Sequence, residues 1–138
     1  MSAAVSMRDI FDLKRIAVVG FSTNPAKPAH TVPKYLIEQG YVVYPVNPFA
    51  EGEILGRKVY KTVYEIPEPV DVVCAFRPSE DIPKVLEDTL KRNDVKVFWM
   101  QLGITNEEAA AKAEEHGLTV VQDRCMYVEH RKLGRSDS

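Results

Sequence analysis

Cysteine is scarce in this chain. Cys74 and Cys125 are the only two in 138 residues, they belong to different predicted strand regions, and no C-x-x-C spacing links them. Nothing therefore suggests a disulfide framework or a CxxC metal or redox motif. Charge of one sign is also lacking: 18 Lys and Arg against 20 Asp and Glu leave a net charge of −2. That gives no electrostatic case for nucleic acid or an anionic membrane surface as partner, while leaving room for one local phosphate site. No apolar run approaches transmembrane length, and Met1–Met7 lacks a basic-then-apolar signal pattern. Low-complexity segments and internal repeats are missing too. These absences predict a reduced, cytoplasmic, globular protein. With 45% hydrophobic and 28% charged residues, the chain suits one ordinary domain over residues 1–138, ending in a loose tail at 134–138.

What is present alternates between short apolar runs and helical periodicity. Ser6 is placed to cap a short helix through Leu13. The apolar runs Ile16–Val19, Tyr41–Val46, Val70–Phe76, Val95–Met100 and Leu118–Val121 predict five buried strands. Between them the pattern predicts helices from about Thr31 to Gly40, with Pro33 in the first turn, and from about Asp81 to Lys91 with Ser79 as cap. A third helix is expected over Glu107–His116 behind a capping box at Thr105–Glu108, and a short one around Met126–Leu133. Residues 49–66 read as irregular, with a small element at Val59–Tyr60. Strand–helix alternation implies an α/β fold: a doubly wound parallel sheet of about five strands with right-handed crossovers.

In such sheets ligands lie outside the carboxyl ends of the strands, so the residues following each strand are the candidates. The first turn is Gly20-Phe21-Ser22-Thr-Asn-Pro25-Ala-Lys27. It opens like a Rossmann G-x-G-x-x-G turn, but Ser22 and Pro25 replace the second and third glycines. Backbone N–H groups near Phe21 and Ser22 could face a pyrophosphate, with Lys27 as a point charge and the following helix's amino end behind them. His30 could add a donor or serve as a capping-region side chain. The competing reading is a surface loop whose Ser, Asn and prolines only form turns. After strand two, where a nicotinamide dinucleotide site has an acid for the ribose, the chain has Pro45-Val46-Asn47-Pro48. Phe76-Arg77-Pro78 could pair a phosphate or flank a ring, or it could be core plus a solvated charge. Gln101-Leu102-Gly103 could approach a ligand tail or simply turn into the next helix. Cys125 beside Arg124 is read as a small buried hydrophobe rather than a nucleophile, and Cys74 as core.

Taken in order, these pieces resemble the small stand-alone CoA-binding domain proteins, related in fold to the CoA-binding domain of the succinyl-CoA synthetase alpha subunit. The resemblance runs from about Ile10 to Leu133. It is carried by Ile16–Ser22, Pro28-Ala-His30 with Val32–Leu36, Gly40-Tyr41 leading to Pro45–Pro48, Val70–Val73, Phe76–Pro78, Trp99–Gly103 and Asp123–Cys125 with Glu129–Arg131. It implies a Rossmann-like sheet holding coenzyme A or an acyl-CoA across the strand ends. By that resemblance Gly20, Phe21, Ser22 and Lys27 would meet the phosphates, and Val46, Asn47 and Pro48 would bracket the adenosine. Phe76, Arg77, Pro78, Gln101 and Gly103 would line the pantetheine route. Synthetase activity does not transfer, because it needs a phosphorylatable histidine on another domain and a partner subunit.

The expectation is thus a non-covalent CoA-binding, carrier or regulatory module without an identified catalytic constellation or metal site. The alternatives are an NAD(P)-dependent oxidoreductase, a thiol-exchange protein using Cys125, and an interaction domain that has lost its ligand. A homodimer or a partner enzyme is compatible with each.

Overall fold

The computed structural model describes residues 5–136. Five strands, β1 (Arg15–Val19), β2 (Val42–Val46), β5 (Val72–Ala75), β6 (Val97–Met100) and β7 (Thr119–Val121), form one parallel sheet in the order β2-β1-β5-β6-β7. The sheet is Rossmann-like and doubly wound, as the alternation predicts. A separate two-stranded hairpin, β3 (Glu53–Ile54) and β4 (Arg57–Lys58), rises from the stretch expected to be irregular. It turns through Leu55 and Gly56, both at positive φ. Tyr60 adds a single parallel bridge to Val46.

Alternation along each strand sends side chains to two cores. Ala17, Val19, Val73, Ala75, Phe98 and Met100 face α3 (Ile82–Leu90) and α4 (Glu107–Glu115), whose Val85, Leu86, Ala110 and Ala113 complete that layer. Ile16, Val18, Val72, Cys74, Val97 and Trp99 face the opposite way. They pack beneath α1 (Met7–Phe11), α2 (Pro28–Glu38) and α5 (Met126–Ser136), through Phe11, Leu36 and Met126. Burial of the strands on both faces is why they read as continuous apolar runs rather than alternating ones.

Several boundaries differ from expectation for local reasons. Helix α2 begins at Pro28, not Thr31, since Pro28 suits the first helical position and Pro33 is tolerated farther inside. Asn106, not Thr105, caps α4; its side chain accepts the Ala109 N–H at 2.9 Å. Ser79 does not cap α3. It enters a 3-10 turn over Ser79–Asp81, and its hydroxyl accepts the Thr105 N–H at 3.2 Å, joining the loops after β5 and β6. Helix α5 continues through Gly134 to Ser136, where a loose tail was expected; Asp137 and Ser138 lie outside the described residues.

Arg92 anchors the side of the sheet beneath the 3-10 turn Val63–Glu65. Its guanidinium donates to the Val63, Ile66 and Glu68 carbonyls and pairs with Asp94 at 2.8 Å. Burial works against ionisation of Asp94, but the Arg92 hydrogen bonds and the Val70 N–H outweigh it and hold that carboxyl below its ordinary value. This clamp fixes the chain segment that forms one wall of the site described next.

Candidate functional site

The carboxyl ends of β1, β2 and β5 finish level, because Val19 pairs with both Val46 and Ala75. Their exits are stitched together. Gly20 N–H donates to the Val46 carbonyl and Phe76 N–H to the Val19 carbonyl, each at 2.8 Å. Gly20 has φ +88°, and a Cβ there would lie 2.8 Å from the Phe76 carbonyl oxygen. The glycine therefore allows the loops after β1 and β5 to approach closely.

The loop after β1 is shaped by the proline in α2. Pro33 has no N–H to give the Ala29 carbonyl four residues back, and that carbonyl accepts the Ser22 N–H instead, at 3.0 Å. The Ser22 amide expected to face a pyrophosphate is thus committed within the fold. His30 is buried against the same loop, with Nδ1 2.7 Å from the Ser22 carbonyl. A carbonyl only accepts, so Nδ1 carries the proton. Phe21 is fully buried and packs edge-on against His30 with ring centroids 5.7 Å apart. Both residues shape the loop from inside.

Asn47 joins the first loop to the second. Its Nδ2 donates to the Phe21 carbonyl at 2.9 Å and its Oδ1 accepts the Phe49 N–H at 2.8 Å. Lys61 pins the same turn by donating from Nζ to the Pro48 and Ala50 carbonyls, at 3.2 and 3.0 Å. Arg77 reaches Asp81 at 2.7 Å, one helical turn along.

Two clefts open over these loops and share Pro48, Phe49 and Arg77. One, of about 310 Å³, is bordered by Gly20, Ser22, Thr23, Lys27 and Asn47, with Phe76 and the first turn of α2 at its side. The other, of about 330 Å³, has a wall of Val19, Val46, Val63 and Val85 and a rim of Lys61 and Lys84. A polar, cation-bearing compartment therefore adjoins an apolar one.

Of the residues expected at the site, Gly20, Ser22, Lys27, Asn47, Pro48, Phe76 and Arg77 come together in the first cleft, and Val46 lines the second. Phe21 and His30 lie behind the loop. Pro78, Gln101 and Gly103 border neither cleft. Gln101 is buried, and its Oε1 accepts the Met126 N–H at 2.9 Å and the Cys74 thiol at 3.7 Å, so it ties β6 to the start of α5. Gly103 N–H goes to the Asp123 carboxylate. Cys74 is buried, which pushes its thiol well above the ordinary value. Cys125, partly exposed, borders a third cleft of about 560 Å³ with Leu102 and Val128. Sequence reasoning missed Phe49, Lys61, Thr62 and Lys84, which come from the irregular stretch and from the outer face of α3. Only the adjacency of Phe49 to Asn47-Pro48 could have pointed to one of them.

A family described as a CoA binding domain matches residues 14–131. The chain belongs to the CoA-binding domain family. Within that relationship it is 45% identical over 117 residues to YneT of Bacillus subtilis, described as uncharacterized, covering 85% of each chain. It is 44% identical over 89 residues to the alpha subunit of ADP-forming acetate–CoA ligase I from Pyrococcus furiosus, covering 61% of this chain but 19% of that subunit. Among solved structures, a hypothetical protein from Pyrococcus horikoshii OT3 superimposes with a TM-score of 0.87 at 41% identity, covering 96% of this chain and 99% of the other. As a CoA-binding domain, the chain thus matches stand-alone proteins over most of their length and the ligase subunit over about one fifth of it.

Proposed function

We propose that this protein binds coenzyme A or a short acyl-CoA non-covalently across the carboxyl ends of β1, β2 and β5, as a binding, carrier or regulatory module. The observation that carries the reading, within a CoA-binding domain family, is the junction of two chemically distinct clefts at Pro48, Phe49 and Arg77. A pyrophosphate suits the compartment with Lys27 and the positive end of α2, and an adenine suits the apolar wall beside it. The ligase subunit that shares 44% identity is by name an enzyme of CoA chemistry. Its reaction is not carried over to a chain that spans 19% of its length.

The geometry disfavours a nicotinamide dinucleotide. The turn after β2 carries the amide Asn47 in place of an acid, so it has no carboxylate for the ribose hydroxyls, and both polar atoms of that amide are engaged with Phe21 and Phe49. The free Cys74 and Cys125 suit a reducing compartment, and we place the protein in the cytoplasm.

Calorimetry with CoA, dephospho-CoA, NAD and NADP at one salt concentration tests the reading. Selective binding of CoA is expected. Preference for NAD or NADP, or binding of none of the four, would overturn it.

A further inference from the structure

We propose that Phe49 is the stacking platform for the ligand's adenine ring, an inference that rests on the CoA-binding reading and assigns a residue to its purine end. Phe49 is 85% exposed, more than any other large hydrophobic residue described. An exposed phenylalanine alone requires no explanation. This one, however, stands where the two clefts meet and borders both. Its backbone is held on each side: Asn47 takes its N–H, and Lys61 bridges the Pro48 and Ala50 carbonyls that flank it. The main chain is fixed while the ring is left without cover.

The apolar cleft supplies what a purine needs on its other surfaces. At about 330 Å³ it falls within the size range of small-molecule sites, and Val46, Val63 and Val85 form a wall opposite the solvent side. A flat base between the valines and the Phe49 ring would cover the ring and fill the cleft together. Base–aromatic stacking is tolerant of ring orientation and accounts for a measurable share of nucleotide affinity.

The test uses the full chain and calorimetry with two probes, CoA and its adenosine bisphosphate half alone. Phe49→Ala is expected to weaken both by the same factor, about tenfold or more. Phe49→Tyr, which keeps a ring, is expected to stay within about twofold of wild type. If Phe49→Ala binds CoA as wild type does, the platform is overturned while CoA binding stands. If wild type binds no CoA, the functional reading falls and the platform with it. A loss seen with CoA but not with adenosine bisphosphate also overturns the platform, because the ring then contacts the pantetheine. Phe49→Trp adds a direct readout, since Trp99 is the one natural tryptophan and is fully buried. Quenching of its exposed emission by adenosine bisphosphate supports the stack, and unchanged emission contradicts it.

Discussion

The Phe76 carbonyl oxygen lies 2.8 Å from the point where Gly20 would carry a Cβ. This approach joins the loops after β1 and β5 at the floor of the polar cleft. Gly20 also sits at φ +88°, in the left-handed region that a side chain disfavours. Because the obstructing atom is backbone, no rotamer change relieves the contact. Gly20→Ala is expected to lose about 2 kcal/mol of stability or more in urea unfolding, and to weaken CoA binding by displacing the loop that carries Arg77. An alanine variant as stable as wild type would contradict the role assigned to this approach.

Asn47 gives a second expectation. Removing its side chain in Asn47→Ala leaves the Phe21 carbonyl and the Phe49 N–H without their partner. The expected cost is about 1–2 kcal/mol in unfolding, with an additional loss of CoA affinity because the Phe49 turn is released. Asn47→Asp should be at least as harmful near neutral pH. It keeps an acceptor for Phe49, but it sets a carboxylate oxygen against the Phe21 carbonyl where an N–H had been. If Asn47→Asp instead gained NAD binding at unchanged stability, the turn would be an ordinary ribose site missing only its acid.

Lys27 is exposed at the mouth of the polar cleft, at the N-terminal cap of α2. Lys27→Ala should leave stability within about 0.5 kcal/mol of wild type. It is expected to weaken CoA, and to weaken it more at low than at high salt, because mobile ions screen an exposed charge pair. Paired titrations at two salt concentrations check this. Equal affinity and equal salt dependence would remove Lys27 from the site.

The sheet was readable in the sequence because its strands are buried on both faces and stand out as apolar runs such as Val72–Ala75 and Val97–Met100. The loop after β1 was readable only in outline. Its Gly20, Ser22 and Lys27 do border a common cleft, but the partner of the Ser22 amide depends on Pro33, eleven residues along. That long-range exchange leaves no mark in local pattern. Gln101 is a related case: its polar side chain at a strand end suggests a ligand contact, yet it meets the orphan N–H of Met126 at the start of α5. Phe49 and Thr62 carry no periodicity at all, since they lie on irregular chain whose course is set by Asn47, Lys61 and Arg92.

The far side of the molecule makes a prediction about pH. His130 on α5 is enclosed by Phe11, Tyr35 and Tyr41, and its Nδ1 lies 2.6 Å from the Tyr35 hydroxyl. Burial first, and then the Lys14 charge, hold its folded-state value below the ordinary 6.5. Burial likewise raises the Tyr35 hydroxyl, so the packed pair is favoured in its neutral form. Arg8 and Asp12 also border this corner, and Lys14 lies over the Tyr41 ring at 4.6 Å. A histidine depressed on folding binds its proton more readily in the unfolded chain. Its contribution is therefore present above the unfolded value and is lost as pH falls through the lower folded one. Urea unfolding should show stability declining as pH drops from about 7 to 5, and His130→Gln should flatten that dependence while lowering stability at neutral pH. An unchanged slope in the variant would assign the effect to other groups. Tyr41 gives the alkaline counterpart: burial pushes its hydroxyl up to about 12, and its contribution should be complete below the ordinary value near 10 and lost as pH rises from there through about 12.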